Sequence, residues 1–295
     1  MKTERHLALP LVFLMLSLSG AQVGRVVGKV TETVLTTGKA ISVQPRISPD
    51  GNRIAFVKDS NLWLMDNLGK DAHQLTHFNV LAHLPSGAQQ PSWSPDGKRI
   101  AFRGRPDERN GGIFVIDVDG TNLKQLTSHW LDSYPDWSPD GRKIVYTNWP
   151  HLWTVDSDGT NAHALTSSNL GEGVEFSPRW SPKGDQIAYL YSGQDGNIAK
   201  IWVIGANGEN PRTLGVVSYD LSWSRDGKYL YFQYGTTLKK LNGQNWGEVQ
   251  VILDWDKGYE NAFDLSPDGL WMVSDFSSED GGSPGEGQIY KLLFP

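Results

Sequence analysis

Short runs in which apolar and polar residues alternate recur along the chain at a nearly fixed interval. The clearest series is Ile54-Ala55-Phe56, Ile100-Ala101-Phe102, Ile144-Val145-Tyr146, Ile187-Ala188-Tyr189, Leu230-Tyr231-Phe232 and Met272-Val273-Ser274. A turn sequence precedes each run. Ser-Pro-Asp-Gly stands at residues 48–51, 94–97, 138–141 and 266–269, with degenerate copies at 181–184 and 224–227. Successive turn glycines lie 46, 44, 43, 43 and 42 residues apart, a regularity that marks a repeat. Proline presets φ at the second position of a type I turn, Asp tolerates the third and Gly supplies the fourth, so each copy predicts a hairpin. The strand entering the hairpin ends in Trp93, Trp137, Trp180 or Trp223, and in Ile47 and Leu265 in the outer copies.

Each unit carries two further runs. Third strands are predicted at residues 61–66, 112–118, 151–155, 200–204, 237–241 and 288–292, and most close on Asp-Gly or Asn-Gly turns. Fourth strands follow, three of them ending in Leu-Thr at Leu75-Thr76, Leu126-Thr127 and Leu165-Thr166. Four antiparallel strands in a unit of this length form a propeller blade, and six units predict an all-β, six-bladed β-propeller. The last unit stops at its third strand, while residues 31–36 read as a fourth. The N-terminal strand is therefore predicted to complete the C-terminal blade, closing the ring and removing an open sheet edge.

The repeat Trp-Ser-Pro-Asp-Gly-x-x-Ile-Ala-Phe, followed by Leu-Trp, Asp-x-Asp-Gly and Leu-Thr, spans nearly all of residues 31–295 and resembles the TolB-type propeller repeat, a relative of the WD-repeat family. The resemblance implies a scaffold or binding module for a protein or peptide partner in the cell envelope. The sequence departs from TolB in leaving no room for the α/β domain that precedes the propeller there, so a propeller alone is expected.

Outside the repeat, the first 21 residues read as a secretory signal. Lys2 and Arg5 precede an apolar run over residues 7–18, and Ser19-Gly20-Ala21 offers small residues for cleavage. Twelve apolar residues fall short of the roughly 20 needed to span a bilayer. The expected division is a signal peptide at 1–21 and one propeller domain at 22–295, periplasmic or extracellular, monomeric and with no membrane span. Losing Lys2, Arg5 and Glu4 would take the net charge from −6 to −7. An acidic surface with scattered cations argues against nucleic acid, whose phosphates need a basic face. The absence of cysteine excludes disulfides and thiolate metal sites.

Candidate chemistry falls on one face. The first-to-second and third-to-fourth turns are short and uniform, so their face reads as structural. The second-to-third loops and the crossings between blades are longer and irregular, and binding residues concentrate on such loops. The expected ligand-binding residues there are His129, Trp130, Asp132, Tyr134, Trp149, His151, Arg105, Tyr191 and Tyr259. His129, Trp130, Asp132 and Tyr134 are expected to share one patch with Trp149 and His151. Aromatic rings at such a mouth suit a peptide, a protein partner or a glycan. An alternative is a hydrolase or polysaccharide lyase using His and carboxylates there, and a second alternative is a carbohydrate-binding module. No motif indicates a cofactor; a divalent metal held by His and carboxylates is the one group left open. Asp117-x-Asp119-Gly120 lacks the later ligands of a calcium loop and reads as a turn.

Overall fold

The computed structural model describes residues 31–37, 41–78, 87–107, 110–167, 173–193, 198–235, 237–243, 245–254, 259–277 and 287–294. The expected signal segment, residues 1–21, lies outside them. Among the described residues every regular element is a strand, and the strands form six four-stranded antiparallel sheets.

Blade 1 comprises β2 (Ser42–Ile47), β3 (Arg53–Lys58), β4 (Asn61–Asp66) and β5 (His73–Gln74). Blades 2 to 5 repeat that order, and their first strands are β6 (Gly87–Trp93), β10 (Asp132–Trp137), β14 (Val174–Trp180) and β18 (Asp220–Trp223). Blade 6 consists of β22 (Tyr259–Leu265), β23 (Trp271–Ser277), β24 (Gln288–Leu293) and, from the other end of the chain, β1 (Thr31–Val34). Thr31 pairs with Leu293 and Val34 with Tyr290, so the ring closes as the alternation predicts. The closing strand is two residues shorter than expected. Beyond it the Leu35 N–H still donates to the Ile289 carbonyl, and Leu35 is buried.

The local chemistry of the repeat accounts for its sequence. In blade 1 the Ser48 hydroxyl donates to Asp50 and accepts from the Arg53 N–H, while the Asn52 N–H donates to the same carboxylate. Blades 2, 3, 5 and 6 repeat this network. Blade 4 has Lys at the Asp position, and Asp185, one residue past the glycine, takes over the bond from Ser181. The turn glycines have φ near +70°, and the proline of each turn packs toward the glycine of the next blade. A Cβ on Gly51 would lie 3.3 Å from Pro267, across the closure. The Leu-Thr endings have a separate role: the Thr76 and Thr166 hydroxyls accept the Leu62 and Leu152 N–H groups that open the third strands.

Core side chains sit between blades, in one cluster at each of the six junctions. The second strands explain this. Ile54 and Phe56 face blade 6, whereas Ala55 on the opposite side meets Ile100 and Phe102 of blade 2. Ala101, Val145 and Ala188 repeat the small position. Large side chains thus fill the space that a small one leaves on the preceding blade, which a period of two along each strand permits.

Candidate functional site

The inner strands carry the unusual backbone. Gln44, Gln90, Tyr134 and Ser177 all hold φ between 52° and 56°, and each precedes a proline. Pairing with the second strand shifts register at each of these points, forming a bulge. Three of the freed N–H groups reach into the neighbouring blade. Gln44 N donates to Asp275 at 3.1 Å, Gln90 N to Gln44 Oε1 at 2.8 Å and Tyr134 N to Gln90 Oε1 at 2.9 Å. Non-glycine residues in the left-handed region cost about 1–3 kcal/mol each, and these blade-to-blade bonds offset part of that strain.

At the corresponding position of each inner strand, two residues past the bulge in blades 1 to 4, a polar side chain enters the central channel. From blade 1 to blade 6 these are Arg46, Ser92, Asp136, Arg179, Ser222 and Asp264, so the triplet Arg-Ser-Asp occurs twice around the ring. The bonds follow the same two-fold pattern. Asp136 accepts from Ser92 at 3.0 Å and from Trp180 N at 2.7 Å, while Asp264 accepts from Ser222 at 3.2 Å and from Ile47 N at 2.8 Å. Trp93 Nε1 donates to the Arg46 carbonyl and Trp223 Nε1 to that of Arg179. Asp220 breaks the symmetry by bridging both arginines, 3.3 Å from Arg46 and 3.5 Å from Arg179.

The electrostatics follow from burial and this bridging. Burial disfavours the Arg46 charge, but Asp220, Asp264, Asp275 and Asp136 outweigh it and hold its pKa above the ordinary value. Arg179 is lowered, by burial first and then by Arg46. Burial raises Asp136 and Asp264 against their hydrogen bonds, and pushes Asp275 up to about 6 against N–H donors from Gln44 and Ala262.

Arg46 and Arg179 also divide the channel. On the irregular-loop side lies a hollow of about 300 Å³ lined by Gln44, Gln90, Tyr134, Phe176, Tyr219 and Asp275. On the turn side lies one of about 420 Å³, lined by Trp93, Trp137, Trp180 and Trp223 and rimmed by the turn prolines. Arg225 takes the rim position in the fifth turn. The packing residues of the turn face thus also wall a cavity.

The nine residues expected to bind ligand separate into neighbourhoods. Tyr134 turns into the channel mouth, its ring 6.1 Å from Phe176. His129 and Asp132 line a hollow of about 460 Å³ where blade 3 follows blade 2, 3.9 Å apart. Trp130 is exposed there under the Arg105 guanidinium, 5.6 Å from its ring centre. Asp132 lies opposite Asn148 and Asn148 opposite His151, so strand register brings these to one end of blade 3, with exposed Trp149 beside them. His151 instead faces Glu175 of blade 4 at 3.6 Å, and Glu175 lies opposite Tyr191, which packs on Trp202. Tyr259 opens β22; its side chain lies outside the described residues. Among the described residues no three His, Asp or Glu side chains gather around one point, and no helix is long and apolar enough to cross a membrane.

The channel charges are what the sequence reading missed. Their signal was present, since the residue before the repeat tryptophan cycles through Arg, Ser and Asp twice.

Residues 28–170 match the TolB beta propeller domain, and the later units carry the same repeat. The chain matches no curated protein sequence. Among solved structures it is similar to an oligogalacturonate lyase in complex with manganese, with a TM-score of 0.61 and 16% identity over 88% of this chain and 79% of that one. An oligogalacturonate lyase from Vibrio parahaemolyticus gives 0.60 and 15%, over 88% and 80%. TolB from Acinetobacter baumannii gives 0.58 and 16%, over 86% of this chain and 63% of that one, so this chain spans less than two thirds of that TolB. At these identities the likeness is one of fold.

Proposed function

We propose that this TolB-type six-bladed propeller is a binding module of the cell envelope that takes a peptide segment of a protein partner on its irregular-loop face. One observation carries the reading. The aromatic side chains exposed among the described residues are Trp130, Trp149 and Tyr219, and all three lie on that face. Exposed Trp and Tyr are costly to leave in water and form the anchors of interfaces. Tyr219, stacked on Tyr234 at 5.5 Å, stands at the channel mouth, where the Gln44, Gln90 and Asp220 side chains offer hydrogen-bonding groups. The expected signal segment supports a periplasmic or extracellular location.

The test is a pull-down from envelope extract with the mature protein and with a Trp130→Ala/Trp149→Ala double variant. A stoichiometric protein captured by the first and lost with the second, both melting alike, supports the reading. Capture that survives the double change overturns it for these two rings.

A second reading is a lyase acting on an acidic sugar at the same mouth. Arg46 and Arg179 at the channel floor favour it, since paired guanidinium groups suit carboxylates. The fold it shares with the oligogalacturonate lyases adds support. Incubation with oligogalacturonate and manganese would show it as a new ultraviolet-absorbing double bond.

A further inference from the structure

We infer that His129, Asp132 and Asn148 form a divalent-cation site at the junction of blades 2 and 3, outside the channel. The segment is a tight turn in which the Asp132 N–H donates to the His129 carbonyl at 2.9 Å, so the two side chains start from a fixed backbone. The Asp132 side chain is only 1% exposed, yet its Oδ1 accepts no hydrogen bond. Thr127 and Asn148 give the carboxylate hydrogen bonds, but a buried oxygen left without one is costly, and a cation is one group that would satisfy it. Nδ1 of half-exposed His129 lies 3.9 Å from Oδ1. That is too long for a hydrogen bond, and a rotation of the half-exposed imidazole by about half an ångström at Nδ1 would bring the pair to the spacing of two donors on one tetrahedral metal with bonds of about 2.0–2.2 Å.

Asn148 faces Asp132 across the β10–β11 (Lys143–Asn148) pair and lines the same hollow, open to solvent, of about 460 Å³. Its amide hydrogen-bonds Asp132 in this structure and, flipped so that the oxygen faces inward, would be a third donor, with water completing the shell. One imidazole, one carboxylate and one amide oxygen are an intermediate donor set. They suit zinc, manganese or nickel rather than calcium, which takes six to eight oxygens. Burial raises the Asp132 pKa despite hydrogen bonds from Thr127 and Asn148 and the nearby His129. The site stands independently of the partner reading, because it draws on His129, Asp132 and Asn148 rather than on the exposed rings.

Calorimetric titration of the full chain, stripped with a chelator, with zinc and manganese chlorides at neutral pH tests the inference. One saturable site is expected for at least one metal, weakened at least tenfold in His129→Gln and in Asp132→Asn, with a metal-dependent rise in Tm that both variants lose. His129 is half exposed, so its substitution leaves the fold intact. Asp132→Asn removes a buried unpaired charge and is expected to raise the Tm of the metal-free protein. Saturable binding that both variants retain, or no saturable binding of either metal, overturns the inference.

Discussion

Asp220 is the group whose loss the channel should tolerate least. Its carboxylate is 4% exposed and lies between two guanidinium groups that are each 13% exposed. It also accepts the Leu221 and Phe263 N–H groups at 2.9 and 3.3 Å. Asp220→Asn preserves volume and one acceptor but removes the charge, which leaves Arg46 and Arg179 repelling each other. Breaking a buried ion pair from one side costs about 3–5 kcal/mol. Arg46 keeps Asp264, Asp275 and Asp136 nearby, so the lower end of that range applies. At about 2–4 °C per kcal/mol for a domain of this size, a loss of about 3 kcal/mol lowers Tm by roughly 6–12 °C. Thermal and urea unfolding would measure the loss. Adding Arg179→Met to Asp220→Asn removes the repulsion and should recover part of it, as a double-mutant cycle would show. A variant that melts within about 2 °C of the parent, on the same scale, would refute the idea that Asp220 neutralises the channel arginines.

Three more outcomes follow from the fold. Asp275 titrates near 6 in the folded chain and near 3.9 when unfolded, so on acidification the folded state takes up its proton first; this group should add about 1.4 kcal/mol of stability between pH 7.5 and 5. Asp275→Asn should lose that increment, and urea melts that run parallel in both proteins would contradict the assignment. Trp137→Ala should cost about 3–5 kcal/mol, because the ring is 4% exposed and packed under Arg99, whereas Trp130→Ala at 51% exposure should cost little; equal losses in chemical denaturation would deny the distinction. Deleting residues 31–37 strips β24 of its outer partner and removes buried Leu35, so the truncated chain should aggregate or melt well below the intact one, and an unchanged melt would dispose of the closure.

The blades were legible because their determinants are local. Ser-Pro-Asp-Gly fixes a turn within four residues, and the Ile-Ala-Phe alternation fixes which side chains face each neighbouring blade. Even the substitution in blade 4 keeps the network, since Asp185 stands close enough to replace the missing Asp. The candidate face was less legible. Tyr134 reads as a loop aromatic, but the left-handed backbone before Pro135 turns it into the channel. His151 reads as a neighbour of His129, yet it faces Glu175 on the next blade.

The sequence by itself determined the number of blades, their boundaries and the closing strand, because periodic turns and apolar alternation act over a few residues and repeat six times. Only the tertiary structure decided which charges meet. Arg46 and Asp220 are 174 residues apart and Arg179 and Asp220 are 41 apart, and nothing local pairs them. Bulges on the inner strands and closure of the ring bring them together, in an interior where burial makes each unpaired charge costly.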